Sequence, residues 1–213
     1  MDLSSGPSVI QYRRFGRTGL SMPVFTCGGM RFQDGWEDKP LPEIDPASQQ
    51  NLETVIEEAL QLGICHIETA RGYGSSERQL GQILPRLPRE NLIIQTKVSP
   101  NPDPAIFREE VLDSLDRLRL QHVDLLALHG INNEEKLQWS LRPGGCFDQA
   151  QRLRDEGRCR FVGFSTHGAV EVIRKAIEHG RAETGHGFDY VNLHWYYIYH
   201  ETWPCIEAAV RRD

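Results

Sequence analysis

Three side chains that could move a proton or orient a substrate lie at the ends of short apolar runs or in the loops that follow them. They are Tyr73, Lys97 and His129. A tyrosine hydroxyl with an ordinary pKa of about 10 donates its proton poorly at neutral pH unless a nearby cation favours the phenolate. Lys97 could be that cation, and His129 could hydrogen-bond a substrate oxygen. The trio predicts that a carbonyl oxygen is protonated while hydride reaches the carbonyl carbon.

A carboxylate precedes the tyrosine by a few residues. Glu68 ends an apolar run and could hold the ammonium group of Lys97 in place. Donors oriented around a developing oxyanion usually supply a large share of catalytic power. Glu68 could equally be a structural ion-pair partner of Lys97, and the two roles are compatible. Arg71, in the same loop, is interpreted as a solvated side chain rather than a contact to an anionic ligand.

Short β-rich runs alternate with longer amphipathic segments at spacings of roughly 30–40 residues. The predicted strands are 24–27, 64–67, 92–96, 123–128, 161–165 and 190–193. The predicted helices are 48–62, 76–84, 104–119, 147–157 and 168–180, with end signals at Gly63, Asp103-Pro104, Gly157 and Gly180. Such alternation requires parallel pairing through right-handed crossovers, so it predicts an α/β sheet or barrel.

The polar residues at the strand ends decide between barrel and open sheet. The turn at 28–31 lacks the GxGxxG pattern of a nucleotide-binding open sheet. A polar residue instead ends nearly every strand, and in a (β/α)8 barrel these ends form one rim around a common mouth. They are Glu68, Lys97, His129, Ser165, Thr166 and Asn192. Residues 12–23 predict a hairpin, with its turn near 17–19, that could plug the opposite end.

The number of units falls short of a closed barrel. After the sixth strand the chain has one partial helix in 201–213, whereas a complete barrel needs eight units and roughly 250 residues. We therefore predict a single domain, 1–213, that is an incomplete (β/α)8 barrel of about six βα units, truncated before strands seven and eight. Open strand edges would expose apolar surface, which predicts possible self-association.

Composition excludes several classes of protein. The net charge of −6 and the absence of a Lys/Arg stripe argue against nucleic-acid binding. No basic, apolar leader and no apolar stretch of about 20 residues is present, so we expect a cytoplasmic protein without membrane contact. Five widely spaced cysteines predict reduced thiols. Histidines without metal-ligand spacing predict packing or solvated roles and no metal site; they are His66, His122, His194 and His200.

Several motifs in one order resemble the aldo-keto reductase superfamily. They are Phe15-Gly-Arg-Thr-Gly-Leu, Glu68-Thr-Ala-Arg-Gly-Tyr-Gly-Ser-Ser-Glu-x-x-Leu-Gly, Thr96-Lys97, Asp124-Leu-Leu-x-Leu-His129 and Val162-Gly-Phe-Ser165, and the resemblance covers about 12–197. It implies a barrel in which Tyr73 is the general acid/base, Lys97 modulates its pKa and His129 orients the substrate. Glu68 stands where the family usually has Asp, and the resemblance implies reduced rather than abolished activity.

The resemblance also implies a nicotinamide cofactor, NADP(H) more than NAD(H), and a small-molecule aldehyde or ketone as substrate. Ser165, Thr166 and Asn192 match positions that hold the nicotinamide carboxamide, although Thr166 and Asn192 replace the more usual Asn and Gln. The family's adenosine-phosphate loop follows strands seven and eight. The cysteines show no iron–sulfur motif of the kind that some related proteins carry in a tail.

Other interpretations stay open at this point. The same barrel could be a non-catalytic binding or regulatory protein, as the superfamily's resemblance to ion-channel β subunits allows, or an inactive truncated product. The aromatic run 195–199 could wall a pocket for an apolar substrate or pack at the rim.

Overall fold

The computed structural model describes residues 10–31, 35–179 and 187–212. An antiparallel hairpin comes first, formed by β1 (Tyr12–Phe15) and β2 (Leu20–Pro23). Six parallel strands follow and pair in chain order: β3 (Cys27–Gly28), β4 (His66–Glu68), β5 (Ile93–Val98), β6 (Val123–Leu128), β7 (Cys159–Thr166) and β8 (Tyr190–Leu193). The predicted fold class, six βα units of a barrel with an N-terminal hairpin, is confirmed.

The strands are connected by α-helices, as the sequence predicts. They are α1 (Pro46–Gln61), α2 (Ser76–Ile83), α3 (Pro104–Leu118), α4 (Glu134–Leu141), α5 (Cys146–Asp155), α6 (Val170–Glu178) and α7 (Trp203–Val210). Asp103 caps α3 by accepting a hydrogen bond from the Ala105 amide at 2.9 Å. Gly63 and Gly157 follow α1 and α5 with positive φ, as predicted, whereas Gly180 lies outside the described residues.

Two sequence-based element assignments differ from the structure. The first barrel strand was predicted at 24–27, but the Val24 amide donates to the Gln11 carbonyl at 2.9 Å and so extends the hairpin, which leaves only Cys27–Gly28 for β3. Helix α4 was not predicted. Its signals were present, because Asn133 caps it through the Lys136 amide and two glutamates occupy its first turn.

The two faces of the sheet have different surroundings, because side chains alternate between them along each strand. One face packs under the helices in a large apolar cluster that includes Ile94, Leu126 and Phe164. The other carries a small apolar floor where Leu20 and Met22 of the hairpin pack on Leu125, Ala127 and Tyr190. The hairpin therefore closes the amino-terminal end of the half-barrel, as predicted, and the polar strand ends lie at the opposite rim.

The outermost strands have one neighbour each. Among the described residues, β3 pairs with β4 alone and β8 with β7 alone. A cavity of about 380 Å³ lies beside β8, between the hairpin, α6 and α7, and its lining includes Phe15, Ile177 and Val191.

No helix in the described part of the chain is both long enough and apolar enough to cross a membrane. The assignment of 1–213 to one domain that ends before strands seven and eight stays a prediction.

Candidate active site

The catalytic candidates meet at one rim because their strands run parallel. Glu68 is the last residue of β4, Lys97 lies near the end of β5, and His129 directly follows β6. The register aligns Glu68 with Gln95 and Lys97 with Ala127 across neighbouring strands. The structure thus brings the three strand-end residues proposed for catalysis, Glu68, Lys97 and His129, to one rim.

Lys97 is the central residue of the group. Its side chain is only 3% exposed, and its ammonium forms an ion pair with Glu68 and donates to the Thr69 carbonyl at 3.0 Å. The nitrogen lies 4.7 Å from the centroid of the Tyr73 ring. Burial lowers the pKa of Lys97 to about 7, and the Glu68 carboxylate opposes that change by favouring the charged form.

Tyr73 lies in a tight loop between β4 and α2. Its amide donates to the Ala70 carbonyl at 3.0 Å, and its carbonyl accepts from the Ser76 amide at 3.0 Å. The next residue, Gly74, has φ of +52°, and a β-carbon there would lie 2.5 Å from the Gly35 carbonyl oxygen. Only glycine fits between the two loops, so the segment at 35–37 packs directly against the loop that presents the tyrosine.

His129 faces the tyrosine ring. The two rings meet edge to face, with centroids 5.6 Å apart and an interplanar angle of 86°. Burial lowers the pKa of His129 to about 4, and the charges of Lys97, Lys136 and His167 act in the same direction. The imidazole is therefore neutral at pH 7 and can donate a hydrogen bond to a substrate oxygen without carrying charge.

The tyrosine differs from the sequence-based expectation. Lys97 was expected to lower the pKa of Tyr73, but burial of the ring raises that pKa above its ordinary value of 10.0. Desolvation penalises the phenolate, and the neighbouring ammonium is itself engaged by Glu68. Tyr73 consequently remains a protonated phenol across the neutral range.

Two of the three cofactor-binding candidates lie side by side. Ser165 on β7 is in register with Asn192 on β8. The Ser165 hydroxyl oxygen accepts from the Gly130 amide at 3.1 Å, which leaves its proton available for donation. The Asn192 Oδ1 accepts from Gln95 Nε2 at 2.7 Å, and this contact fixes which end of the amide is the donor.

Thr166 does not join them. Its hydroxyl donates to the Ile131 carbonyl at 2.7 Å and accepts from the Gly168 amide at 3.0 Å. As the neighbour of Ser165 on an alternating strand, it is directed to the other face of the sheet. Its observed contacts are those of a residue that shapes the loop after β7.

A polar chain inside the half-barrel was missed by the sequence analysis. Thr26 Oγ1 and His66 Nδ1 are 2.8 Å apart, His66 interacts with Gln95, and Gln95 donates to Asn192. His66 and Gln95 precede Glu68 and Lys97 by two residues, so they share the faces of the catalytic side chains. The sequence could have indicated these residues, because positions two before Glu68 and Lys97 on a strand lie on the same face. Burial lowers the pKa of His66 to about 4, so this histidine is packed and neutral.

Other candidates have ordinary roles. Arg71 is not simply solvated, because it forms ion pairs with Asp113 and Glu110. In the aromatic run 195–199, Tyr197 and Ile198 are 86% and 91% exposed, which contradicts rim packing for these two residues. Across the described residues, no group of three or more His, Cys, Asp or Glu side chains could hold a metal ion.

Comparison with known proteins gives a consistent result. The sequence model of the Aldo/keto reductase family matches residues 25–195. The chain is 29% identical over 174 residues to L-galactose dehydrogenase of Arabidopsis thaliana, which covers 73% of this chain and 48% of that protein. It is 29% identical over 159 residues to NADH-specific methylglyoxal reductase of Escherichia coli, covering 62% of this chain and 45% of that protein.

Solved structures show the same fold. A crystal structure from Pseudomonas aeruginosa, assigned to the aldo-keto reductases, has a TM-score of 0.77 at 25% identity and covers 99% of this chain and 78% of that one. An aldo-keto reductase from Klebsiella pneumoniae, crystallised with NADPH, has a TM-score of 0.72 at 20% identity, covering 94% and 66%. The chain spans about half the length of the curated relatives named above. The family model extends over most of the sequence, and the chain is a member of the aldo/keto reductase family.

Proposed function

We propose that this chain carries the proton-delivery site of an NAD(P)H-dependent carbonyl reductase. The observation that carries the proposal is the meeting of Tyr73, Lys97 and His129 at one rim, with the lysine nitrogen 4.7 Å from the tyrosine ring. The three groups suit different roles, since the site combines a phenol that holds its proton, a neutral imidazole and a buried lysine with a pKa of about 7 that is ion-paired with Glu68.

The residues act on the substrate oxygen. His129 donates a hydrogen bond to the carbonyl oxygen and orients it towards Tyr73, which transfers its hydroxyl proton as negative charge develops there. Lys97 stabilises the phenolate that remains, because its ammonium lies over the ring. Glu68 holds that ammonium in place and favours its charged form. The phenolate then recovers a proton from solvent.

The nicotinamide end of a cofactor fits the residues present. When bound, the reduced nicotinamide supplies the hydride. Ser165 and Asn192 are adjacent on the inner face and offer a hydroxyl and an amide donor suited to a carboxamide. The hydrogen bonds of Thr166 to Ile131 and Gly168 commit its hydroxyl to the loop, so it is not included in the proposed cofactor site.

The substrate is proposed to be a small-molecule aldehyde or ketone. The family resemblance favours NADP(H) over NAD(H), and NADH is the alternative because one relative is named NADH-specific. We also propose a cytoplasmic protein that neither binds nucleic acid nor enters a membrane. In the part of the chain that the structure describes, β3 and β8 are edge strands, and such edges favour self-association, which light scattering over a concentration series would detect.

Cofactor titration combined with turnover tests the function. We expect NADPH to quench tryptophan fluorescence and to be oxidised in the presence of 4-nitrobenzaldehyde. Tyr73→Phe should abolish oxidation but retain quenching, because the ring and its packing remain. Tyr12→Phe, a tyrosine of the hairpin, is the matched control and should retain both.

Each result distinguishes the candidate functions. Quenching without turnover in the unsubstituted chain would support a non-catalytic, cofactor-binding barrel. No quenching at millimolar NADPH or NADH would contradict both functions for this chain. Full turnover in Tyr73→Phe would remove Tyr73 as the proton donor.

A further inference from the structure

Two histidines outside the proton-delivery site face each other at the same rim. His167 follows the last residue of β7, and His194 follows the last residue of β8. Their Nδ1 atoms are 3.0 Å apart, and their ring centroids are 3.8 Å apart with an interplanar angle of 76°. Both residues are exposed, so solvent and small ions reach them.

The backbone holds each histidine in place. The preceding residues, Thr166 and Leu193, are paired in the sheet. The His167 amide donates to Asn132 Oδ1 at 2.7 Å, and the Thr202 hydroxyl donates to the His194 carbonyl. The short approach of the two rings is therefore set by adjacent strand ends and by two further anchors on different loops.

The facing Nδ1 atoms suit a shared cation. In a contact between the Nδ1 atoms of two neutral imidazoles, one Nδ1 carries a proton and the other accepts it. If the donor ring carries its proton on Nε2 instead, two Nδ1 lone pairs lie side by side. With metal–nitrogen bonds of about 2.0–2.1 Å, nitrogens 3.0 Å apart subtend roughly 95° at an ion. That angle is nearer the square-planar or octahedral geometry of Cu²⁺ and Ni²⁺ than the tetrahedral geometry of Zn²⁺.

We propose that His167 and His194 form a two-histidine site for a divalent transition-metal ion, with Ni²⁺ and Cu²⁺ preferred over Zn²⁺. Water fills the remaining coordination positions, since no third His, Cys, Asp or Glu ligand stands near among the described residues. The site is independent of the proposed reductase function. Sequence analysis predicted no metal site, because His194 was considered without its partner 27 residues earlier.

Calorimetry on the untagged full chain tests the site. Ni²⁺ is the probe, because it does not undergo redox exchange with the free thiols as Cu²⁺ can. At about pH 7.5, where unperturbed imidazoles are mostly neutral, we expect one equivalent to bind. His167→Asn and His194→Asn should each weaken binding at least about tenfold. His122→Asn is the matched control and should leave the affinity unchanged, because His122 directly precedes β6 and lies at the opposite rim from the two histidines.

A second measurement on the unsubstituted chain covers variants that fail to fold. Ni²⁺ should protect both His167 and His194 from modification by diethyl pyrocarbonate, as read by peptide mass spectrometry, while His122 reacts as before. Absence of binding, binding that persists in both variants, or protection of neither histidine would overturn the proposal. Tighter binding of Zn²⁺ than of Ni²⁺ would overturn the stated preference.

Discussion

The two halves of the rim differ in how fully the chain surrounds them. In the proton-delivery half, Glu68, Lys97 and His129 end strands that are hydrogen-bonded to neighbours on both sides. In the proposed cofactor half, Ser165 lies on β7, which has neighbours on both sides, but Asn192 lies on β8, which pairs among the described residues with β7 alone. The chain that follows β8 is largely exposed, and Ile198 is 91% accessible.

The difference separates proton delivery from cofactor binding in the proposed reaction. The first half owes its geometry to buried contacts within the chain, above all those of Lys97 with Glu68 and Thr69. In the second half, a hydrogen bond from Gln95 orients the Asn192 amide, and the Gly130 amide donates to the Ser165 hydroxyl. We therefore expect substitutions in the first half to change turnover and those in the second to change cofactor affinity.

The largest effects should come from two separate substitutions, one in each half of the rim. Lys97→Met removes the ammonium over Tyr73, so kcat should fall about 100-fold or more while cofactor affinity stays within about twofold. Asn192→Ala should show the reverse, with a cofactor KM raised about tenfold and kcat nearly unchanged. Steady-state kinetics with NADPH and 4-nitrobenzaldehyde give both values. An equal loss of kcat in both variants would remove the distinction.

The next effect concerns the polar chain that joins the halves. Burial holds the pKa of His66 at about 4 against an ordinary 6.5, so the unfolded chain binds a proton that the folded chain excludes between these values. The free energy of unfolding should therefore fall as the pH drops from 6.5 towards 4, with about 3 kcal/mol of the loss due to His66.

His66→Asn should remove that share of the acid sensitivity, as measured by urea unfolding across the pH range. His129, which has a similarly lowered pKa, should leave a residual slope. His200→Asn provides the control for a histidine-to-asparagine change, because His200 is exposed and lies outside the buried polar chain. Identical slopes for the two variants would show that His66 does not link folding to pH.

A smaller effect should distinguish the two roles open to Glu68. Glu68→Gln removes the anion that favours a charged Lys97, so kcat should fall about tenfold. Because the pKa of Lys97 should fall further, the alkaline limb of the pH–activity profile should move to lower pH. Glu68→Asp keeps the charge and should stay within about threefold. A stability loss in Glu68→Gln with an unmoved pH profile would make Glu68 a structural partner only.

The smallest effect should come from Gln95. Gln95→Met removes the hydrogen bond to Asn192 and should weaken cofactor binding by about 1 kcal/mol, roughly fivefold. Thr166→Val is the matched comparison, because the hydrogen bonds that it loses join the end of β7 to Ile131 and Gly168 and do not involve Asn192. It should lower stability by a similar amount without changing cofactor affinity. Fluorescence titration and urea unfolding measure the two quantities.

Much of the fold and of the rim was predictable because it depends on the periodicity of apolar residues and on the order of strands and helices along the chain. Strand β6 has its predicted bounds, and parallel pairing necessarily places Lys97 and His129 at the same rim. The start of β3 was not predictable in this way, because Val24 has a strand-like side chain and its amide is used by the hairpin. Competition between two sheets for one residue cannot be read from its type.

The protonation states and the histidine pair needed coordinates. Whether Lys97 or burial controls the pKa of Tyr73 depends on desolvation and on the engagement of the ammonium by Glu68. The 3.0 Å approach of His167 to His194 depends on the register of β7 with β8 and on the loop anchors at Asn132 and Thr202. Neither quantity is encoded in local sequence spacing.

The hairpin has a consequence for the order in which the chain can fold. Its Phe15 ring lies 5.7 Å from that of Tyr190, and Arg17 donates to the Phe188 carbonyl, so the first strands are fastened to the last strand of the sheet. Those contacts join residues more than 170 positions apart and close very long loops. The hairpin can pack on Leu125 and Ala127 once β6 has been synthesised, but its contacts with Phe188 and Tyr190 must wait for β8, so the earliest segment to emerge completes its native contacts late.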